Sequence, residues 1–237
     1  MSRPIAVDRP DVPAGIRAIP VRTPIVRQGD DLASAVVDAV RGIAREGDVV
    51  AIAETAVAIA QGQSVSAELV RPSRLAYTLS RYADPMATVS QPESLQIVID
   101  REGAPRVFYA AVMNVLGRFV GRRGLFYEIL GEAIGAIDGY TGTMPPFERT
   151  IVFGPKDPDA FAQSFTELSG LACAIVDAND LDRAHVLGAS RGVDRAAIER
   201  ALRSNPHGNS DEQTPVVVLK WRGEGANPLV QTAAAPA

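Results

Sequence analysis

Asp138 and Asp177 each close a short apolar run and are followed at once by turn residues. The first ends Ala133-Ile134-Gly135-Ala136-Ile137 and precedes Gly139-Tyr140-Thr141-Gly142; the second ends Leu171-Ala172-Cys173-Ala174-Ile175-Val176 and precedes Ala178-Asn179-Asp180. An apolar strand that ends in a carboxylate at a turn presents an anion at the rim of a sheet, where ligands and ions bind. The alternative for either residue is an Asx-turn or a helix cap. If the two ends converge, they make a hard-cation site. Two carboxylates about 4 Å apart repel by roughly 4 kcal/mol at an effective dielectric of 20, so the pair would need a metal, an arginine or a shared proton.

The other chemistry-bearing side chains are few. Cys173 is the single cysteine and sits inside an apolar run, which reads as a buried small hydrophobe and excludes disulfides and thiolate metal sites. His185 and His207 are the two imidazoles, too few for a multi-histidine zinc site. Lysine occurs only at Lys156 and Lys220, so arginine, with its forked donors, would have to contact most of any phosphate. Arg118, Arg122 and Arg123 cluster among glycines 117, 121, 124, 131, 135 and 139 and read either as solvated surface or as an anion site. No Gly-Lys-Ser or Gly-Lys-Thr follows those glycines, which excludes a Walker-type loop.

Local signals predict the elements that must position these residues. Asp31 caps a helix whose apolar face is Leu32, Val36, Val37, Val40 and Ile43, ended by Gly47-Asp48; Val49 to Ala53 then reads as a buried strand. Residues 71–83 are expected to be helical, and Asp84-Pro85 opens a further helix. Leu95 to Ile99 and Arg106 to Val115 fit strand or helix equally by periodicity. Asp157-Pro158 starts a helix that carries Phe161, Phe165 and Leu168 and stops at Gly170, with Leu171 to Val176 following as a strand. Val193 to Ser204 is a third helix with Asp194 in its first turn, a polar loop runs from Asn205 to Thr214, and Pro215 to Trp221 is a closing strand. Helix-then-strand units of this kind predict an α+β fold, a mixed β-sheet covered by helices.

The composition bounds the class. With 237 residues, 46% of them apolar and 22% charged, the chain can bury a sizeable core. A net charge of −4 provides no electrostatic case for nucleic-acid binding. No apolar run approaches the 18 or so residues of a membrane span, and the proline- and arginine-rich start lacks a signal-peptide core, so the expected compartment is the cytoplasm and no membrane partner is expected. The expected organisation is an extended lead-in at 1–17, one domain over 18–222 and a disordered tail at 223–237.

Five segments in order carry a resemblance: GDDL at 29–32, GDVVAIAETAVAIAQG at 47–62, the AIDG turn, the strand IVDAN and the closing GNSDEQTPVVV. Together they resemble the coenzyme F-420-0 gamma-glutamyl ligase family, which attaches glutamate to a deazaflavin coenzyme precursor using GTP and divalent cations. The match spans about residues 18–222. The resemblance implies that Asp138 and Asp177 bind Mg²⁺ or Mn²⁺ bridging the phosphates of GTP or ATP, with Asn209 completing the metal site. It implies nucleotide contacts at Pro24-Ile25-Val26 and Glu54-Thr55, a small-molecule acceptor and an amino acid as substrates, and a homodimer. Arg122 and Arg123 are candidates for phosphate contact in place of an absent lysine. No catalytic residue beyond the metal ligands is assigned.

The departures are as specific as the matches. The lysine of the family's Ser-Lys-x-Glu-Gly stretch aligns with Ile59 and its glutamate with Gln61. The threonine after the second metal aspartate is Ala178, the Gly-Arg that follows it is Asp180-Leu181, and the segment between Asp177 and the last loop is short. Asp182, Asp194 and Asp211 read as structural, although Asp211 and Glu212 lie in the loop next to the implied metal site. Two classes of function therefore stand: a metal- and nucleotide-dependent amide ligase with an altered acceptor, or a non-catalytic ligand-binding or interaction protein on the same scaffold.

Overall fold

A computed structural model describes residues 15–84, 87–131, 134, 137–140, 147–179, 183–208 and 213–231. Its strands are β1 (Ile16–Val21), β2 (Val49–Ala53), β3 (Ser64–Ser66), β4 (Thr150–Val152), β5 (Ala172–Asn179), β6 (Arg183–Ala189) and β7 (Val216–Trp221). The helices are α1 (Leu32–Val40), α2 (Glu54–Ala60), α3 (Arg74–Ser80), α4 (Pro92–Glu102), α5 (Ala104–Phe119), α6 (Leu125–Leu130), α7 (Pro158–Ser169) and α8 (Arg195–Leu202). The chain divides into two compact units, Met1–Gly62 with Pro155–Ala237, and Gln63–Gly154, within the span expected as one domain.

The first unit is built on a mixed five-stranded sheet ordered β1-β7-β2-β5-β6, in which β2 and β5 are parallel and the other neighbours antiparallel. The α+β expectation holds. Strand alternation sorts the side chains into two cores. Val50, Ile52, Cys173, Ile175, Val216 and Val218 face Leu32 and Val36 of α1, Val57 of α2 and Phe165 of α7. Val49, Ala51, Ala174, Val176, Val217 and Leu219 face Ile198 and Leu202 of α8. β2, buried on both faces, is accordingly apolar at every position.

Local chemistry accounts for most boundaries. The Asp31 carboxylate accepts from Ser34 N at 3.1 Å and starts α1, which ends at Val40, before the expected Gly47. Gly170, at φ +72°, stops α7. Asp157, expected as the cap of α7, has φ +47° and its side chain makes no capping bond; Pro158 with its fixed φ carries the start instead. Asp194 is the N-cap of α8 and accepts from Ala197 N at 2.9 Å, so Asp194→Ala is expected to cost about 1 kcal/mol in urea unfolding.

Other expectations are corrected. Residues 16–21, the first two of which fall in the expected lead-in, form the edge strand β1, and Pro20 is tolerated there because an edge strand needs few ladder donors. β6 follows β5 directly and had no clear sequence signal. Both ambiguous stretches are helical: α4 and α5 each have proline in the first turn and are separated by Gly103 at φ +84°. Within the expected tail, Val230 bridges Val193 and Leu229 is fully buried against the α8 face. The lead-in at 1–14, Pro85 of the proposed Asp84-Pro85 start, and residues 232–237 lie outside the described residues.

The second unit holds the two-stranded β3–β4 sheet and α3 to α6 around Leu95, Val98, Val107, Phe126, Leu130 and Ile151. Ile134 and Ile137 are buried in this core and neither lies in a strand, which corrects the reading of the run before Asp138.

Candidate functional site

One end of the five-stranded sheet gathers the polar groups of the first unit. The parallel strands β2 and β5 run to this end in register, Ala53 opposite Val176, so Glu54 and Asp177 are the next residues of adjacent strands spaced roughly 4.8 Å apart. β1 ends and β7 begins at the same rim, Val21 opposite Val216. The chain after β1 is fastened there by Thr23 N donating to the Gln213 carbonyl at 3.3 Å, and Ala53 N donates to the Pro215 carbonyl at 2.8 Å. Pro24 and Ile25 are exposed just beyond, whereas Val26 packs on the first core.

Asp177 does not end its strand, contrary to expectation. β5 continues through Ala178 and Asn179, held by β6, with Asp177 opposite His185. Because β2 has already ended, the carboxylate is exposed on the face that Cys173 and Ile175 share, where α2 begins. Partial desolvation raises its pKa from the ordinary carboxylate value, and the charge of His185 opposes that rise. His185 in turn lies 3.2 Å from a Glu199 carboxylate oxygen of α8. Glu54 opens α2, a position the helix dipole favours for an anion, and Thr55 follows, both half-buried.

Residues 213–215 lead into β7 at this rim. His207 is buried; its Nδ1–H donates to the Thr214 carbonyl at 3.2 Å, and Thr214 Oγ1 donates back to the His207 carbonyl. Nε2 has no hydrogen-bond partner among the described residues. Burial pushes the imidazole down to about 4, partly offset by the bond to Thr214. Asn209, the implied third metal ligand, lies outside the described residues, as do Asp180, Asp182, Asp211 and Glu212.

Asp138, Arg122 and Arg123 belong to the second unit. Asp138 pairs with Val152 through two backbone bonds, 2.8 and 2.9 Å, and its side chain is exposed. A Cβ on Gly139 beside it would meet Gln91 Oε1 at 2.2 Å, so a side chain there would have to displace the Gln91 amide, which accepts from Tyr140 N at 3.0 Å. Arg122 and Arg123 sit between α5 and α6, where Arg122 pairs with Glu128 at 3.0 Å. Among the described residues, no group of three or more His, Cys, Asp or Glu side chains is placed to hold a metal.

The departures at 59 and 61 have structural work of their own. Ile59 is buried in α2. Gln61 clips the backbone of Lys156 from both sides, donating to its carbonyl at 2.9 Å and accepting from its N–H at 2.6 Å. Lys220 is held by Asp48 at 2.7 Å and is mostly buried, which leaves Lys156 as the exposed ammonium. Burial pushes the Cys173 thiol up, so it is inert. Sequence reasoning missed Thr23, His185 and His207; the scarcity of histidine was the one signal that pointed to the last two.

Comparison with known proteins bears on this rim. The family model described as F420-0:Gamma-glutamyl ligase matches residues 20–169, a span that includes β2, α2 and Asp138. The Coenzyme F420:L-glutamate ligase of Methanopyrus kandleri is 29% identical over 156 residues, covering 64% of this chain and 54% of that protein. The chain therefore spans about half the length of this curated relative. No helix is long and apolar enough to cross a membrane among the described residues.

Proposed function

The chain belongs to the F420-0:Gamma-glutamyl ligase family, and from that premise we propose that it is an amide ligase joining an amino acid to a small carboxylate acceptor with consumption of GTP or ATP. The acceptor carboxylate oxygen attacks the γ-phosphorus, the bond to the bridging oxygen breaks, and the nucleoside diphosphate leaves. The amine nitrogen then attacks the acyl carbon of the acyl phosphate, inorganic phosphate departs, and the new amide loses a proton to solvent. Catalysis of this kind is mostly positioning and charge neutralisation. A cytoplasmic homodimer is part of the same reading.

The observation that carries it is the convergence at one sheet rim of the Pro24–Val26 segment, Glu54, Thr55 and Asp177. The exposed Asp177 carboxylate is a hard oxygen donor whose charge is penalised in the protein alone, which suits a divalent cation. Magnesium is commonly held by one or two carboxylates with substrate phosphates completing its shell, so a small donor set is compatible with it. Asp177 would hold Mg²⁺ or Mn²⁺, and on the resemblance Asp138 and Asn209 carry the same role. The bound ion would supply neutralisation of the phosphate charge. Glu54 and Thr55, at the start of α2, and the chain at 24–26 would position the nucleotide; Arg122 and Arg123 are assigned phosphate contact.

A second reading, a ligand-binding protein without ligase chemistry, is favoured by the buried Ile59 and the tethered Gln61. Calorimetric titration of GTP and ATP, with and without Mn²⁺, into the wild type and Asp138→Asn separates the two. The ligase reading expects binding that needs Mn²⁺ and weakens at least about tenfold in the variant. Absence of nucleotide binding under every condition would sink it and leave the non-catalytic alternative.

A further inference from the structure

Within the second unit, the turn that carries Asp138 is gripped by the start of α4. Gln91, the residue before α4, makes no side-chain capping bond to the helix it precedes. Its Oε1 instead accepts from Tyr140 N and from Ser94 Oγ, both at 3.0 Å. Ser94 is fully buried, so the amide is anchored from the core side while it reaches out to the turn. Glu93 takes the other end of Tyr140: the phenol hydroxyl donates to Glu93 Oε2 at 2.9 Å. Arg149 braces the same ring, its guanidinium carbon 4.9 Å from the ring centre and its Nη2 3.6 Å from Glu93 Oε1.

These contacts leave the backbone of Asp138 little freedom. Ile137 before it is buried in the core, and Asp138 is bridged to Val152 through both its N–H and its carbonyl. Gln91 then fixes the peptide that follows Gly139. Gly139 has a φ outside the left-handed region, so conformational freedom does not call for glycine there. Space does, because the Gln91 amide fills the volume in which a side chain would stand. The exposed carboxylate is left with only its own side-chain torsions to settle.

We propose that Gln91 is a positioning residue for the Asp138 carboxylate, holding that turn ready for a divalent cation that arrives with nucleotide phosphates; the inference rests on the ligase reading. A ligand whose backbone is already fixed loses less freedom when the cation binds, which is how groups behind a metal ligand contribute to affinity. Gln91 acts through Asp138 and touches no phosphate itself. Its effect must therefore vanish once the carboxylate is gone.

Calorimetric titration of GTP with Mn²⁺ tests this on the full chain. Gln91→Met keeps the length and removes the acceptor, and it is expected to weaken Mn²⁺-dependent binding about tenfold. Gly139→Ala, which displaces the amide without altering Gln91, is expected to match it. Gln91→Glu keeps an acceptor for Tyr140 N and Ser94 Oγ and is expected to stay within about threefold of the wild type. Adding Gln91→Met to Asp138→Asn is expected to cause no further loss, whereas a residue that serves the fold alone would add its full effect. The stoichiometry of each titration counts folded sites, so lost affinity is read apart from lost structure. A wild type that binds no nucleotide would remove the ligase reading and this inference with it. Wild-type affinity in Gln91→Met, equal losses in Gln91→Met and Gln91→Glu, or a fully additive double variant would overturn this inference while the ligase reading stands.

Discussion

Asp177→Asn is expected to weaken Mn²⁺-dependent nucleotide binding by at least about 100-fold, the scale on which loss of even an outer partner of a bound metal can register, and at the same time to raise the thermal midpoint. Both effects have one cause. The carboxylate stands exposed beyond the end of β2, and its partial desolvation raises its pKa from the ordinary value. A carboxyl whose folded pKa is raised contributes stability only at low pH, below its unfolded value, and loses it as pH rises through the folded value. At neutral pH the ionised group is therefore a burden that a divalent cation or the nearby His185 relieves. Asparagine keeps the shape and removes the charge. A merely structural carboxylate would do the reverse, lowering the midpoint without touching binding. Nucleotide titration and a melting scan of the same two proteins at pH 7.5 distinguish these outcomes. Unchanged Mn²⁺-dependent binding in the variant would remove Asp177 from the site.

The second large effect concerns acid. Urea unfolding is expected to show the wild type losing roughly 3 kcal/mol between pH 7.5 and pH 4 from His207 alone. Burial holds its folded pKa at about 4, against the ordinary imidazole value of 6.5. Between those values the unfolded chain binds the proton and the folded chain does not, so stability is full above about 6.5 and declines as pH falls toward 4. The neutral tautomer is set by Nδ1–H donating to the Thr214 carbonyl, and the buried Nε2 cannot accept a proton without desolvating a cation. His207→Asn keeps a donor for Thr214 and does not titrate. It is expected to be less stable at pH 7.5 and to show a flatter profile, the difference between the two proteins narrowing toward pH 4. Parallel profiles would show that other groups carry the acid sensitivity.

Much of the first unit was legible in local chemistry. The Asp31 cap, the apolar run of β2, the proline start and glycine stop of α7 and the closing strand β7 are signals contained within a few residues, and each reappears within a turn of its expected place. The family was legible for a different reason: five weak segments in one order are improbable together even where none is specific, and the match over residues 20–169 takes in the first three of them, stopping short of the strand IVDAN and the closing segment. The helical state of α4 and α5 was undecided because periodicity alone does not separate short apolar runs.

The candidate site divides along the same line. Residue type alone made Asp177 a possible oxygen ligand and Cys173 a core residue, since ionisation and hydrophobicity travel with the side chain. Only the tertiary structure decided that Asp177 lies inside a strand, because β6 pairs with β5 beyond the reach of β2, and that pairing is a long-range contact with no local signature. The fold likewise turned His207 from one residue of a polar loop into a buried neutral base, and Leu229 from tail into core. Capping, turn geometry and hydrophobic period act over a few neighbouring residues and so can be read along the chain. Register between distant strands, burial and the resulting desolvation are set by which segments meet in space, and that was settled only when the sheet assembled.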